Sequence, residues 1–451
     1  MEWQEGETTM WTPMRNACAR PWILACALVS LLMGATGARA NEAAAVEEIL
    51  AILHDKGLID ESQHEDLLAK HYREQTRAAA PAASFVEGWK LKGDLRLRHE
   101  ATSYDRDATG IERDNRSRFR YRARLGLEKA INDWATFGLT LASGTDDPRS
   151  TNQSFGDAED FDPDEIYIDR AWVRFDAPSG PGGMQTHLTA GKVGNPFLWK
   201  VGKDLLVWDS DINPEGAYIG SSWKASSALD LWGALGGFIV DENSTASDPK
   251  LVAAQIGTTA RLTDTITFGG RLSGYEWRSL DTRFVGEAAS WGNLPSAFDH
   301  GRARIGEIGL HATFAHDATW PVTLYGTFVR NFSAESAVIG GTRVGEEDTA
   351  WSLGVETGSS SQLFRVGAGY FHVEANSVIG QFTDSDLFDG YTNRKGFLLY
   401  GARVLGPNVE LKLTFAQSDE IEDDGLGAGP FSDSIRNANR RRLQTDLEMK
   451  F

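Results

Sequence analysis

Residues 116–128 read R-S-R-F-R-Y-R-A-R-L-G-L-E. Arginine holds every second position (Arg116, Arg118, Arg120, Arg122, Arg124), and from Phe119 the positions between carry Tyr121, Ala123, Leu125 and Leu127. A β-strand points successive side chains to opposite faces, so the stretch is guanidinium on one side and apolar on the other. Wound into a helix, the same residues would spread around the whole surface and the two-sidedness would vanish. A soluble domain could bury the apolar face, but the guanidinium face would repel itself unless wet. A barrel in a bilayer satisfies both faces, with lipid outside and a water-filled lumen inside.

Composition points the same way. The chain has 451 residues and a formal charge of −19, which disfavours non-specific nucleic-acid binding. A hydrophobic content of 41% with 47 glycines and 22 phenylalanines suits an all-β protein with many tight turns. Beyond the N-terminal region there is no run of about 18 apolar residues, so a membrane span has to be made of strands. The first 40 residues read as a signal peptide: Arg15 and Arg20, an apolar core from Trp22 to Met33, then Ala38-Arg39-Ala40. Met14 opens a more ordinary signal peptide than Met1, so a start at Met14, with residues 1–13 a start-site artefact, is the alternative expectation. Both cysteines, Cys18 and Cys26, fall in this segment, so the exported chain uses no disulfide.

Residues 41–87 form the expected periplasmic helical hairpin and linker. Val46, Ile49, Leu50 and Leu53 share a face, and Asp60-x-x-Gln63 suits a helix N-terminus. From residue 88 to 451 the chain alternates in about sixteen segments, among them Trp89/Leu91/Leu95/Leu97 and Val409/Leu411/Leu413/Phe415. Short connections (131–133, 262–265, 405–408) alternate with long ones (145–164, 279–302, 375–393, 418–439). That rhythm is how an outer-membrane barrel is wired, with turns in the periplasm and loops outside. The final stretch alternates Leu443, Thr445, Leu447, Met449 and Phe451 with polar residues and stops at the aromatic. Leu447, Met449 and Phe451 are thereby candidates for the signal that the barrel assembly machinery reads.

Several stretches resemble the large Gram-negative outer-membrane "putative porin" family of 16-stranded-type barrels. They are L-K-G-D-L-R-L-R at 91–98, the arginine run ending at Leu127, and T-L-A-S-G-T-D-D-P at 140–148 followed by S-T-N-Q at 150–153. I-D-R-A-W-V-R-F at 168–175 and the stretch G-K-V-G-N-P-F…L-V-W-D-S-D-I-N-P-E-G between Gly191 and Gly216 complete the likeness. The resemblance covers most of the exported chain and implies a channel in the cell outer membrane, exported through a cleaved signal peptide. It names no solute.

The inner face of the first two strands is expected to carry Lys90, Lys92, Arg96, Arg98, Arg116, Arg118, Arg120, Arg122 and Arg124, a basic pore wall suited to carboxylate or phosphate. The bland alternative is that facing acids neutralise it. Residues 194–215 follow the fifth strand and are the expected constriction loop, with Asp204, Asp209, Asp211 and Glu215 set across an aperture from the arginines. Asp209-x-Asp211-x-Asn213 opens like a calcium loop, but Pro214 replaces the turning glycine and Gly220 the bidentate glutamate, so no metal site is expected. No HExxH, GxSxG or phosphate-cradling motif occurs, so no catalytic residue and no cofactor are expected. Expected partners are outer-membrane lipid and lipopolysaccharide, small hydrophilic solutes and, as in porins of this size, two further copies in a homotrimer. The competing readings are a plugged structural outer-membrane protein acting through its helical arm or acidic loops, and a secreted β-protein binding sugars through its tryptophans.

Overall fold

The computed structural model describes residues 49–56, 60, 63–70, 88–104, 115–157, 162–199, 201–203, 206–314, 320–339, 342–358, 364–421 and 439–451. The expected signal peptide and most of the linker lie outside the described residues, as does Asp204. The chain divides into residues 1–88 and 89–451. In the first unit residues 49–55 and 63–70 are helical. Asp60 and Gln63 cap the second helix reciprocally: the Asp60 N–H donates to Gln63 Oε1 at 3.0 Å, and the Gln63 N–H to Asp60 Oδ1 at 2.8 Å.

The second unit is one closed antiparallel sheet. Its strands are β1 (Trp89–Tyr104), β2 (Arg116–Asn132), β3 (Ala135–Ser143), β4 (Gln153–Ser154), β5 (Ile166–Asp176), β6 (Gln185–Lys192), β7 (Glu215–Ser226), β8 (Leu229–Ile239), β9 (Lys250–Thr263) and β10 (Ile266–Arg278). There follow β11 (Ala303–Phe314), β12 (Val322–Asn331), β13 (Ala337–Ile339), β14 (Thr342–Val344), β15 (Thr349–Gly358), β16 (Phe364–Val373), β17 (Arg394–Gly406), β18 (Val409–Glu420) and β19 (Arg440–Lys450). β4 is a two-residue bridge onto β2, and β13 pairs only with β14, which leaves sixteen wall strands. β1 pairs with β19 from Asp94↔Lys450 to Tyr104↔Arg440, so the sheet has no edge.

The pleat sorts the side chains as the alternation requires. On β1, Leu91, Leu95 and Leu97 stand exposed on the outer face, while Asp94, Arg98 and Glu100 are buried on the inner one. Ile219, Leu235, Ile256, Leu272, Ile308, Leu353 and Leu413 continue the apolar outer band around the wall. An apolar belt of this extent belongs against hydrocarbon. β2–β3, β7–β8, β9–β10 and β17–β18 are joined by two-residue turns, and both ends of the barrel chain lie on that turn side. Trp134, Trp223, Trp320, Phe364 and Phe451 are exposed there, as an interfacial aromatic girdle requires.

Gly93 makes closure possible. Its N–H donates to the Phe451 carbonyl at 3.0 Å, and the Phe451 N–H returns the bond at 3.1 Å. A Cβ at Gly93 would lie 2.3 Å from the Phe451 ring and 2.6 Å from the Arg124 carbonyl, so no side chain fits at this crossing of three strands. Gly93→Val is therefore expected to cut the yield of the compact, heat-modifiable barrel several-fold on unheated electrophoresis, and Phe451→Ala to lower it less.

Candidate functional site

The register of β1 on β2 sets Arg96 opposite Arg122, Arg98 opposite Arg120, Asp94 opposite Arg124 and Glu100 opposite Arg118. The basic residues singled out from the sequence therefore share one inner face, together with acids in the same alternation. Most of the cations are paired. Lys92 meets Glu128 at 2.7 Å, Arg118 meets Glu100 at 2.5 Å, and Arg124 meets Asp94 at 2.7 Å. Arg122 bridges Asp94 and Glu448, and Arg98 bridges Asp446 at 2.6 Å and Asp386 at 2.7 Å. Arg96 and Arg120 are held by neutral acceptors instead: Arg96 donates to Asn152 Oδ1, and Arg120 to Ser150 Oγ and the Asn152 carbonyl. Lys90 and Arg116 stand exposed at opposite ends of the face.

Removing Arg98 takes from the buried Asp446 the cation bonded to it, and breaking a buried pair in this way costs about 3–5 kcal/mol. The wall is thus as much a fastening as a surface for solutes.

Between β6 and β7, the described residues of 194–214 run inside the barrel. Phe197, Leu206, Trp208, Asp209 and Ile212 are buried, and the Phe197 carbonyl accepts from Gln255 on β9 at 3.0 Å. Trp199 lies 4.5 Å over the Arg271 guanidinium, and a Cβ at Gly309 would sit 2.2 Å from its ring, so a glycine in β11 makes its seat. Glu215 is the first residue of β7, bonded to Lys192 of β6 at 2.8 Å, and stands on the wall, not in the loop.

The expected aperture between loop carboxylates and arginines is bridged: Asp211 lies 3.6 Å from Arg124. Residues 375–393, expected outside the barrel, also fold inward, a correction with a clear cause. Their Asp386 reaches Arg98, their Asp389 pairs with Arg440 and Arg442 on β19, and Phe382 stacks on Trp277 at 5.0 Å. The two loops hold each other, since Asp209 Oδ2 accepts from the Ser385 N–H at 2.7 Å and the Asp209 N–H donates to the Phe382 carbonyl at 2.7 Å.

What stays open are cavities on either side of this brace. One of about 890 Å³ lies on the turn side, lined by Lys90, Lys92, Asp94, Arg124, Arg170 and Arg174 among others. Two lie on the loop side: one of about 530 Å³ near the loop-side ends of β5–β9, and one of about 460 Å³ beside Arg118, Arg120 and Arg442. The 530 Å³ cavity and the turn-side cavity share Asp169. A β-bulge puts it there. Thr140 pairs with Arg170 and Leu141 with Ile168, so Asp169 is the extra residue. Asp169 accepts from Asn213 at 2.8 Å and Arg170 donates to Asn213 at 2.9 Å, which ties the loop's end to the wall.

A protein family described as "Putative porin" matches residues 108–301 and 301–432. The chain belongs to this family. Among solved structures, Pseudomonas putida OprB is similar in fold, with a TM-score of 0.50 at 10% identity, covering 83% of this chain and 97% of that one. Salmonella typhi OmpF (TM-score 0.48, 11% identity, 80% and 97%) and Acinetobacter baumannii DcaP (0.43, 11%, 81% and 98%) also match. No curated protein sequence matches. The chain is an outer-membrane β-barrel of the porin type.

Several residues of this porin's lumen escaped the sequence reading: Asp386, Asp389, Arg149, Asn152, Asp169, Arg440 and Arg442. Asp94 and Glu100 had a visible signal, since they continue the polar alternation of Lys90, Lys92, Arg96 and Arg98. The loop carboxylates respond to the same fields. Burial would raise the Asp386 carboxyl, but Arg98 and Arg442 outweigh it and hold it well below the usual range. Asp211 is likewise held low, against burial, by Arg122 and Arg124. Burial, with Asp384 and Asp211 nearby, pushes Asp209 well up.

Asp384 is pushed up to about 7, by burial first and by Asp386 second. A raised carboxyl favours the protonated form, so its contribution to inward packing is complete below about pH 4 and fades as pH rises through 7. The protection of the amides of residues 374–393, taken relative to their intrinsic exchange rate at each pH, is therefore expected to fall between about pH 4 and pH 7, and Asp384→Asn to remove that fall.

Proposed function

We propose that this barrel is a passive diffusion channel for small hydrophilic solutes, with the basic wall of β1 and β2 tuning it towards anions. The observation that carries the reading is the pair of cavities on opposite sides of the brace with Asp169 in common. A solute crossing between them passes the Asp169–Asn213–Arg170 contact and the Arg124 guanidinium. The turn-side cavity is lined by Lys90, Lys92, Arg124, Arg170, Arg174 and Lys450 against Asp94, Glu128, Asp169 and Asp176, an excess of cations that concentrates anions at that mouth. Arg96 and Arg120, which have no carboxylate partner among the described residues, continue the basic face inward from that mouth. In this reading lipid and lipopolysaccharide surround the apolar band, the assembly machinery reads Leu447, Met449 and Phe451, and three copies associate.

The zero-current potential of the purified protein in a planar bilayer under a salt gradient tests it. The expected sign is anionic, moved towards cations by the double variant Arg96→Gln/Arg120→Gln; an unmoved potential would remove the wall from selectivity. A second reading, a plugged structural barrel, is favoured by the direct Arg98–Asp386 contact, and absence of any conductance would establish it over the channel.

A further inference from the structure

The 530 Å³ loop-side cavity has a character opposite to that of the turn-side one. Its inner surface is apolar and aromatic, with Trp208, Trp277, Phe238 and Phe382. Seven carboxylates line it, against one base, Lys192. Five are at ion-pair distance from a base: Glu215 from Lys192 at 2.8 Å, Asp147 from Arg149 at 3.1 Å, Asp211 from Arg124 at 3.6 Å, Asp169 from Arg170 at 3.6 Å, and Asp241 from Arg283. Asp146 and Glu242 are exposed on the rim and have no ion-pair partner among the described residues.

Asp169 is the informative one. It is 7% exposed, and its Oδ2 accepts no hydrogen bond. Arg170 Nε lies 3.6 Å from that oxygen, but its hydrogen is directed to Asn213 Oδ1 at 2.9 Å. A buried carboxylate oxygen without a donor is costly and calls for one. No group of three or more His, Cys, Asp or Glu side chains able to hold a metal ion occurs among the described residues.

We infer that this cavity binds an organic cation: an ammonium group donating to Asp169 Oδ2, with its apolar body on the aromatic floor and Asp146 and Glu242 adding attraction at the rim. The volume lies within the range of small-molecule sites, and a few placed polar groups in an apolar cleft are their usual make-up. This goes beyond the channel reading and does not depend on it, because binding is read without conductance.

The test is calorimetric titration of the full chain in detergent with 2-phenylethylammonium, alongside neutral 2-phenylethanol and magnesium chloride. The expected result is saturable binding of the ammonium only, weakened about tenfold by Asp169→Asn and about twofold by each of Asp146→Asn and Glu242→Gln. Equal affinity in Asp169→Asn overturns the proposal; equal binding of 2-phenylethanol reduces the cavity to an apolar trap, and magnesium alone binding reduces it to an inorganic cation site. Should Asp169→Asn fail to give the heat-modifiable barrel, the Asp146→Asn/Glu242→Gln double variant decides, with an unchanged affinity against the proposal. Binding without conductance sinks the channel and leaves this site; conductance without binding does the reverse.

Discussion

The structure depends on a sheet that must have no edge. In hydrocarbon an unpaired strand would leave a row of peptide groups without partners, so the first and last strands have to meet. They meet through more than backbone. Arg98 of β1 is fixed to Asp446 of β19, 348 residues away in sequence, and Arg122 of β2 reaches past β1 to Glu448. Three strands are thus stitched on their inner face where the ring closes, and the Arg98–Asp446 and Arg122–Glu448 pairs form only in the closed state. The arginine run is consequently part of the seam before it is part of the pore.

Much of the barrel was legible because its code is local. Period-two alternation needs only a few residues, and lipid outside with water inside leaves it nearly undisturbed from β1 to β19. Turn length is equally local: two-residue turns on one side and long loops on the other can be read along the chain, and the Asp60–Gln63 cap lies within four residues. For the expected loop at 194–215 the local signal was Phe197, Trp199 and Trp208, which are too apolar to stay in water.

The interior was less legible because its code is long-range. That Asp446 and Glu448 neutralise Arg98 and Arg122 follows only once the last strand is laid beside the first. Residues 375–393 look like an ordinary polar loop until Arg98, Arg440 and Arg442 converge on one place and supply partners for Asp386 and Asp389. Asp169 is a third case. Strict alternation assigns Asp169 and Arg170 to opposite faces, and only the one-residue slip against β3 turns both inward.

The loop brace also divides the labour around the ring. Where β16 and β17 are tied across to β1 and β19, the interior is crowded with ion pairs and serves as scaffold. The two cavities that share Asp169 are lined by residues of β1–β3, β5–β10 and β19, and by none of β11, β12 and β15–β18. In the proposed channel the route is therefore eccentric, and a solute meets one side of the wall instead of the full circumference. Sixteen strands enclose the interior, but ten of them line the two cavities.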